Sequence, residues 1–85
     1  MHYDVVEAQV IGELFFSVKF KDGLSGTVQF LPSYLYGVFE KLKNPEFFNQ
    51  LQVTNGFVSW GADEIDLAPD SMYEAICQRG EWLLS

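Results

Sequence analysis

The chain has 85 residues and a formal net charge of −7, and eight Phe, four Tyr and two Trp make it rich in aromatic side chains. A chain of this length forms one domain, here residues 1–85, and buries only about 60 to 65% of its unfolded surface, so the aromatics must build an efficient core. The single cysteine, Cys77, excludes an intramolecular disulfide and a zinc site made of thiolates. We expect Cys77 to be buried as a small apolar residue.

The negative charge is concentrated in the last third of the chain. Residues 1–60 carry six acids against four lysines, whereas residues 61–85 carry six acids against Arg79 alone. This balance disfavours direct contact with nucleic-acid phosphates and favours a basic partner. The N-terminal sequence lacks the basic start and apolar run of a secretory signal, and no segment approaches the roughly 20 apolar residues of a membrane span. We therefore expect a cytoplasmic protein without membrane association.

The first 31 residues predict three antiparallel strands. Residues 5–11, 14–20 and 24–31 are rich in strand-forming residues, and in the second and third of these runs apolar and polar side chains alternate. Asp22-Gly23 separates the second run from the third and is typical of a two-residue type I′ turn. The polar alternate face predicts a sheet that is solvated on one side.

The middle of the chain predicts an irregular crossover followed by a short helix. Gly37 weakens any continuous helix over residues 34–42, so we expect only one or two short helical turns there. Asn44 is a good helix cap and Pro45 suits the first helical position, which predicts a helix over residues 45–51.

The last third predicts a second hairpin and the main helix. Asn55-Gly56 lies between residues 52–54 and 57–60 and again indicates a two-residue turn. A helix over residues 70–79 begins after Pro69, and its predicted buried stripe consists of Met72, Tyr73, Ile76 and Cys77. Together the elements predict a small two-layer α+β domain: an antiparallel sheet of four to five strands, formed by a meander and a second hairpin, packed with the C-terminal helix and the shorter middle helix.

Four motifs resemble, in their order, the bacterial family catalogued as domain of unknown function 2442. They are Phe20-Lys21-Asp22-Gly23, Gly37-Val38-Phe39-Glu40-Lys41-Leu42, Asn44-Pro45-Glu46-Phe47-Phe48, and Trp60 with Asp66-Leu67-Ala68-Pro69-Asp70-Ser71-Met72-Tyr73. The resemblance covers residues 4–76. The family pattern usually has Pro and then Asn-Gly-Ala-Asp directly after the tryptophan, whereas five residues intervene here, and we match Asp66 because Leu67-Ala68-Pro69 follow it.

This resemblance implies a small α+β fold without established catalysis. Some relatives look to be fused to a helix-turn-helix, and others sit beside a second small protein in an arrangement similar to a toxin and antitoxin pair. Because the present chain has no room for a helix-turn-helix, we expect any DNA binding to come through a partner.

The sequence offers few groups for catalysis. His2 is the only histidine, so a Ser-His or Cys-His nucleophile pair is not expected. No phosphate-binding glycine loop or dinucleotide fingerprint occurs. A calcium loop beginning at Asp63 fails because the third, fifth and sixth positions are Ile65, Leu67 and Ala68. We therefore expect no enzymatic activity, no cofactor and no bound metal.

Three hypotheses for the function of this chain remain, and the acidic segment of residues 63–74 contributes to the first two. The leading one is a non-enzymatic interaction or regulatory module, for example one half of a toxin–antitoxin-like pair. It would bind another small protein through Asp63, Glu64, Asp70, Glu74 and the C-terminal Trp82. The second is a divalent-metal site or enzyme that uses Asp63, Asp66 and Asp70. The third is a domain that self-associates through a sheet edge or through Trp82.

The structural alternative to the metal and partner hypotheses is that Asp66 and Asp70 cap the helix and are otherwise solvated. We also expect Trp60, Asp66, Pro69 and Tyr73 to form a structural corner, in which an aspartate such as Asp66 accepts a hydrogen bond from the Trp60 indole N–H.

Overall fold

The computed structural model describes residues 3–61 and 64–85, and within these ranges the chain forms an α+β domain with two sheets. In chain order the elements are β1 (Val5–Gly12), β2 (Phe15–Phe20), β3 (Ser25–Phe30), two 3₁₀ segments (Pro32–Tyr34 and Gly37–Lys43), α1 (Pro45–Phe48), β4 (Gln52–Thr54), β5 (Phe57–Trp60), β6 (Ile65–Leu67), α2 (Pro69–Arg79) and β7 (Glu81–Leu84). The fold class and the irregular crossover over residues 34–42 are confirmed.

The larger sheet has the order β1-β2-β3-β7. Its first three strands form the predicted antiparallel meander, and β7 adds to β3 in parallel, with Trp82 opposite Val28. The C-terminal segment is therefore an edge strand of the larger sheet. Gly80 makes this possible, because its left-handed backbone (φ 77°) ends α2 and its carbonyl accepts a hydrogen bond from Thr27 N at 3.4 Å.

The second hairpin forms a separate sheet of order β4-β5-β6 and does not extend the first. Asn55 and Gly56 both have positive φ (49° and 88°), as the predicted type I′ turn requires. At the turn between β2 and β3, Gly23 has positive φ (96°) but Asp22 does not. Phe20 N donates to Leu24 O at 2.7 Å, so residues 21–23 form a three-residue loop. The prediction of a type I′ turn at Asp22-Gly23 was therefore wrong. The Asp22 side chain favours the longer loop, because its Oδ1 accepts from Leu24 N at 2.9 Å.

The two sheets and both helices enclose one aromatic core. The rings of Phe16, Phe30, Phe48 and Trp60 are almost completely buried, and the Phe16 and Trp60 centroids lie 5.7 Å apart in an edge-to-face arrangement. The opposite face of the larger sheet carries exposed or half-exposed polar side chains, as the alternation of β2 and β3 predicted.

Helix α2 lies so close to the larger sheet that only glycine fits beneath it. A Cβ atom on Gly26 would lie 2.5 Å from Ile76 Cγ2 and 2.6 Å from Gly80 O. This approach centres the helix contact on the buried Met72 and Ile76. The prediction that Cys77 is buried was wrong: it is exposed, because a helix turns about 100° per residue and position 77 points away from a contact centred on Ile76.

The shorter helix α1 begins as predicted but ends early. Asn44 Oδ1 accepts from Glu46 N at 3.0 Å, which confirms the cap. The helix ends at Phe48 and not near residue 51, since Gln50 N and Leu51 N donate to carbonyls only three residues earlier, in tighter turns. No helix of the described residues is long and apolar enough to cross a membrane.

Candidate protein-binding surface

Helix α2 presents two of the predicted partner-binding acids on one exposed face. Asp70 and Glu74 are both exposed and lie four residues apart, so they are neighbours on the helix surface. Asp70 Oδ1 accepts a hydrogen bond from Ser71 N at 2.9 Å, and its charge lies in the first turn, where the helix dipole favours an anion. Within residues 3–61 and 64–85, neither carboxylate forms an ion pair. We name Asp70 and Glu74 the α2 acidic pair.

Glu64 differs from the α2 acidic pair because a lysine neutralises it. Its Oε1 lies 2.7 Å from Lys41 Nζ, and both side chains are about half exposed (46% and 55%). This contact ties the second 3₁₀ segment to the turn between β5 and β6, although an exposed ion pair contributes only about 0 to 1 kcal/mol. Asp63, another of the five predicted contacts, lies outside the described residues.

Asp66 does not cap α2. It is the exposed middle residue of β6, opposite the buried Ser59 of β5, while Ile65 and Leu67 on either side face the core. The N-cap of α2 is Ala68, which makes no side-chain cap hydrogen bond. The capping prediction for Asp66 was therefore wrong, because pairing with β5 holds this residue extended, whereas Pro69 occupies the first turn as predicted.

Trp60 has a different hydrogen-bond acceptor from the one predicted. The side chain is fully buried, and its indole Nε1 donates to the backbone carbonyl of Phe48 at 2.9 Å rather than to Asp66. The Trp60 and Phe48 rings also stack, with centroids 5.7 Å apart. The hydrogen bond of Trp60 thus joins β5 to the end of α1. No pattern in the sequence indicates a backbone acceptor twelve residues away.

Tyr73 connects α2 to the loop between β2 and β3. Its hydroxyl donates a hydrogen bond to Asp22 Oδ2, and its ring packs edge-to-face on Phe20 with centroids 5.0 Å apart. The hydrogen bond to Asp22, together with burial and the negative charge of Asp22, raises the pKa of Tyr73 to about 12. Sequence reasoning placed Tyr73 at a structural corner but missed Asp22 as its partner.

The remaining predicted residues do not gather into a chemical centre. Trp82 is half-buried on β7 and packs against the core. In the part of the chain that the structure describes, no three His, Cys, Asp or Glu side chains come close enough to hold a metal ion. The arrangement offers exposed carboxylates that can attract a cationic surface.

The motifs that are distant in sequence meet in pairs in the fold. Tyr73 in the last motif donates a hydrogen bond to Asp22 in the first motif. Trp60, which also belongs to the last motif, donates to the backbone carbonyl of Phe48 in the third motif. A model of the family described as "Protein of unknown function (DUF2442)" matches residues 5–77. The chain belongs to this family. Comparisons with curated proteins and with solved structures found no match. In this DUF2442 chain the matched range ends within α2, so β7 lies beyond it.

Proposed function

We propose that this chain is a non-enzymatic interaction or regulatory module of the bacterial cytoplasm that binds a small basic protein. The observation that carries the proposal is the α2 acidic pair: two neighbouring exposed carboxylates without a counter-ion in the described chain, on a protein of net charge −7. Arg79 is the only cation in residues 61–85. A surface of one sign attracts a partner of the opposite sign and accelerates its association.

The contacts between the motifs that resemble the family support a binding role over a catalytic one. Two hydrogen bonds join these motifs, one from Tyr73 to Asp22 and one from Trp60 to the Phe48 carbonyl. These residues therefore hold the fold together. The carboxylates left for function lie on an exposed helix face, where water solvates them, and not across a desolvated cleft of the kind that acid–base catalysis uses. Glu64 would add to the contact by exchanging its ion pair with Lys41 for an ion pair with a cation of the partner. Trp82 would add an apolar contact through the exposed part of its ring.

The partner we favour is a small protein encoded next to this one, in a pair similar to a toxin and its antitoxin. An acidic module would neutralise such a partner by covering a basic surface that otherwise contacts nucleic acid. Any effect on nucleic acid would then be indirect, since the phosphate backbone repels this chain.

Charge reversal of the α2 acidic pair tests the proposal. The tagged chain and its Asp70→Lys/Glu74→Lys variant are each used to isolate partners from the native host, and the affinity of any purified partner is measured at low and high salt. We expect the variant to lose at least tenfold in affinity and to lose most of the salt dependence, because the attraction is electrostatic.

The matched control is Glu40→Lys/Glu46→Lys. It changes the net charge equally, and it also places one lysine in the first turn of a helix, since Glu46 lies in the first turn of α1 as Asp70 does in α2. The control should keep the partner. Equal loss in both variants, or none in either, would remove the α2 acidic pair from the proposed function.

A further inference from the structure

A groove of about 520 Å³ opens between the β1–β2 turn and helix α1. Its apolar lining includes the buried Leu42 and Phe48 and the half-buried Val10 and Leu14. A volume of about 300 to 1,000 Å³ and a mostly apolar lining are typical of sites for small ligands. We name this region the α1 groove.

Two side chains of opposite charge stand on the rim of the α1 groove. Glu13 and Lys43 both line it, and both are exposed. Glu13 lies in the turn between β1 and β2, whereas Lys43 ends the second 3₁₀ segment, directly before the N-cap of α1. In residues 3–61 and 64–85, neither side chain forms an ion pair, with the other or with a third residue. The groove therefore offers one carboxylate and one ammonium group on different segments of the chain.

The backbone beside Glu13 is held in one conformation. The carbonyl of Leu14 accepts hydrogen bonds from Phe30 N at 2.9 Å and from Gln29 Nε2 at 3.0 Å. Leu14 itself has φ 55°, a left-handed conformation that is unfavourable for leucine and that glycine or asparagine adopts more readily. Strain of this kind is found at ligand-binding sites, where the surrounding structure maintains it. Here it keeps an apolar side chain on the groove at a position where a polar residue would be less strained.

We propose that the α1 groove binds a short apolar peptide with free termini, of the size of a di- or tripeptide. The ammonium group of the peptide would pair with Glu13, its carboxylate with Lys43, and its apolar side chains would lie against Leu14 and Phe48. Because Glu13 and Lys43 do not contact each other, the charges of the ligand must be separated. The two ends of a peptide are separated in this way, whereas the charged groups of a single amino acid share one carbon atom. The apolar lining would supply affinity, and the two charges would set the orientation.

The groove on the outer face of the larger sheet lacks this combination. It is lined by polar side chains and by Glu7 and Lys19, whose charged atoms lie 4.0 Å apart and partly neutralise each other. In the α1 groove, one carboxylate balanced by one separate ammonium group favours a zwitterion over a ligand of a single charge. The inference is independent of the proposed function, because it uses neither the α2 acidic pair nor a basic partner.

Titration of the isotope-labelled full chain with the dipeptide Leu-Leu, followed by NMR of the backbone amides, tests the proposal. We expect saturable shifts at residues 10–14, 42–43 and 48–49. N-acetyl-Leu-Leu lacks the ammonium group and Leu-Leu amide lacks the carboxylate, so each should bind about tenfold more weakly. Gly-Gly keeps both charges but has no apolar side chains, so it should give no saturable shifts.

Substitutions of the two charged residues assign each end of the peptide. Glu13→Gln should weaken the binding of Leu-Leu about tenfold and leave that of N-acetyl-Leu-Leu unchanged, because the acetylated peptide has no ammonium group to pair. Lys43→Gln should likewise weaken Leu-Leu and leave Leu-Leu amide unchanged. The matched control is Glu7→Gln/Lys19→Gln, which removes the same two kinds of charge from the outer groove and should leave the binding of every peptide unchanged.

Leu14→Asn tests the apolar lining without imposing a new backbone conformation, because asparagine tolerates positive φ. It should weaken the binding of Leu-Leu about tenfold, while an unchanged circular dichroism spectrum shows that the variant is folded. The proposal is overturned if the shifts caused by Leu-Leu do not saturate or lie outside the α1 groove. It is also overturned if blocking either terminus leaves the affinity unchanged, or if Gly-Gly binds as tightly as Leu-Leu.

Discussion

Replacing Trp60 by phenylalanine tests the link between the second sheet and α1. The substitution keeps an aromatic ring in the core but removes the indole N–H that donates to the Phe48 carbonyl at 2.9 Å. That carbonyl keeps one partner, because Leu51 N also donates to it at 3.2 Å. The loss is therefore that of one hydrogen bond and not of a fully unsatisfied buried acceptor.

The expected loss in the free energy of unfolding has two parts. The hydrogen bond contributes about 1 kcal/mol net. The smaller ring leaves a space against Phe16, Phe30 and Phe48, and because complete truncation of a core Trp costs about 3 to 5 kcal/mol, the partial one should cost about 1 to 2 kcal/mol. Trp60→Phe should therefore lower the free energy of unfolding by about 2 to 3 kcal/mol, a large share of the roughly 4 to 13 kcal/mol typical of a chain this size.

Urea unfolding followed by far-ultraviolet circular dichroism measures this loss without relying on the fluorescence of the substituted residue. The matched control is Trp82→Phe on the edge strand β7, where the ring is half-buried and the expected cost is below about 1 kcal/mol. A Trp60→Phe variant within about 0.5 kcal/mol of the parent chain would refute the role given to this contact.

Three further measurements address the helix α2. Gly26→Ala should destabilise the domain by about 1 to 3 kcal/mol, because the added methyl group would collide with the helix. The control Gly12→Ala, whose Cβ would come no closer than 3.3 Å to a neighbour, should cost less in the same urea experiment. Equal costs in the two variants would contradict the close approach of α2 to Gly26. Tyr73 should ionise near pH 12 in ultraviolet titration, and Asp22→Asn should move that ionisation down towards pH 10. Because the raised pKa belongs to the folded state, the stabilising contribution is complete below about pH 10 and is lost as pH rises towards about 12; a titration unchanged by Asp22→Asn would contradict the contact. Cys77 should react with a thiol reagent in the native protein as fast as in the unfolded one, and protection of the thiol would contradict its exposure.

Local chemistry explains which parts of the fold could be predicted. Asn55-Gly56 determines a type I′ turn because both residues tolerate positive φ, and Asn44-Pro45 starts a helix through one side-chain acceptor and one fixed dihedral angle. The alternation along β2 and β3 separated the core face from the solvated face. Each of these signals depends on residues within a few positions of one another.

Prediction failed where the outcome depends on distant residues. β6 has three residues, too few for a periodic pattern, and it exists because β5 lies beside it. One failure was local: Asp22 accepts a hydrogen bond from Leu24 N, only two positions along the chain, and this single contact overrode the turn preference of Asp22-Gly23. At the candidate surface, Asp70 and Glu74 could be assigned to one helix face from their spacing, whereas the neutralisation of Glu64 by Lys41 could not.

The sequence by itself therefore determined the α+β class, the meander, the helix starts and the uneven distribution of charge, because these follow from backbone preferences and composition. Only the tertiary structure decided that Trp60 donates to Phe48, that Tyr73 donates to Asp22 and that the C-terminal segment becomes β7. These outcomes join residues 12, 51 and about 54 positions apart, and the physical reason is that such contacts form only when the whole core packs.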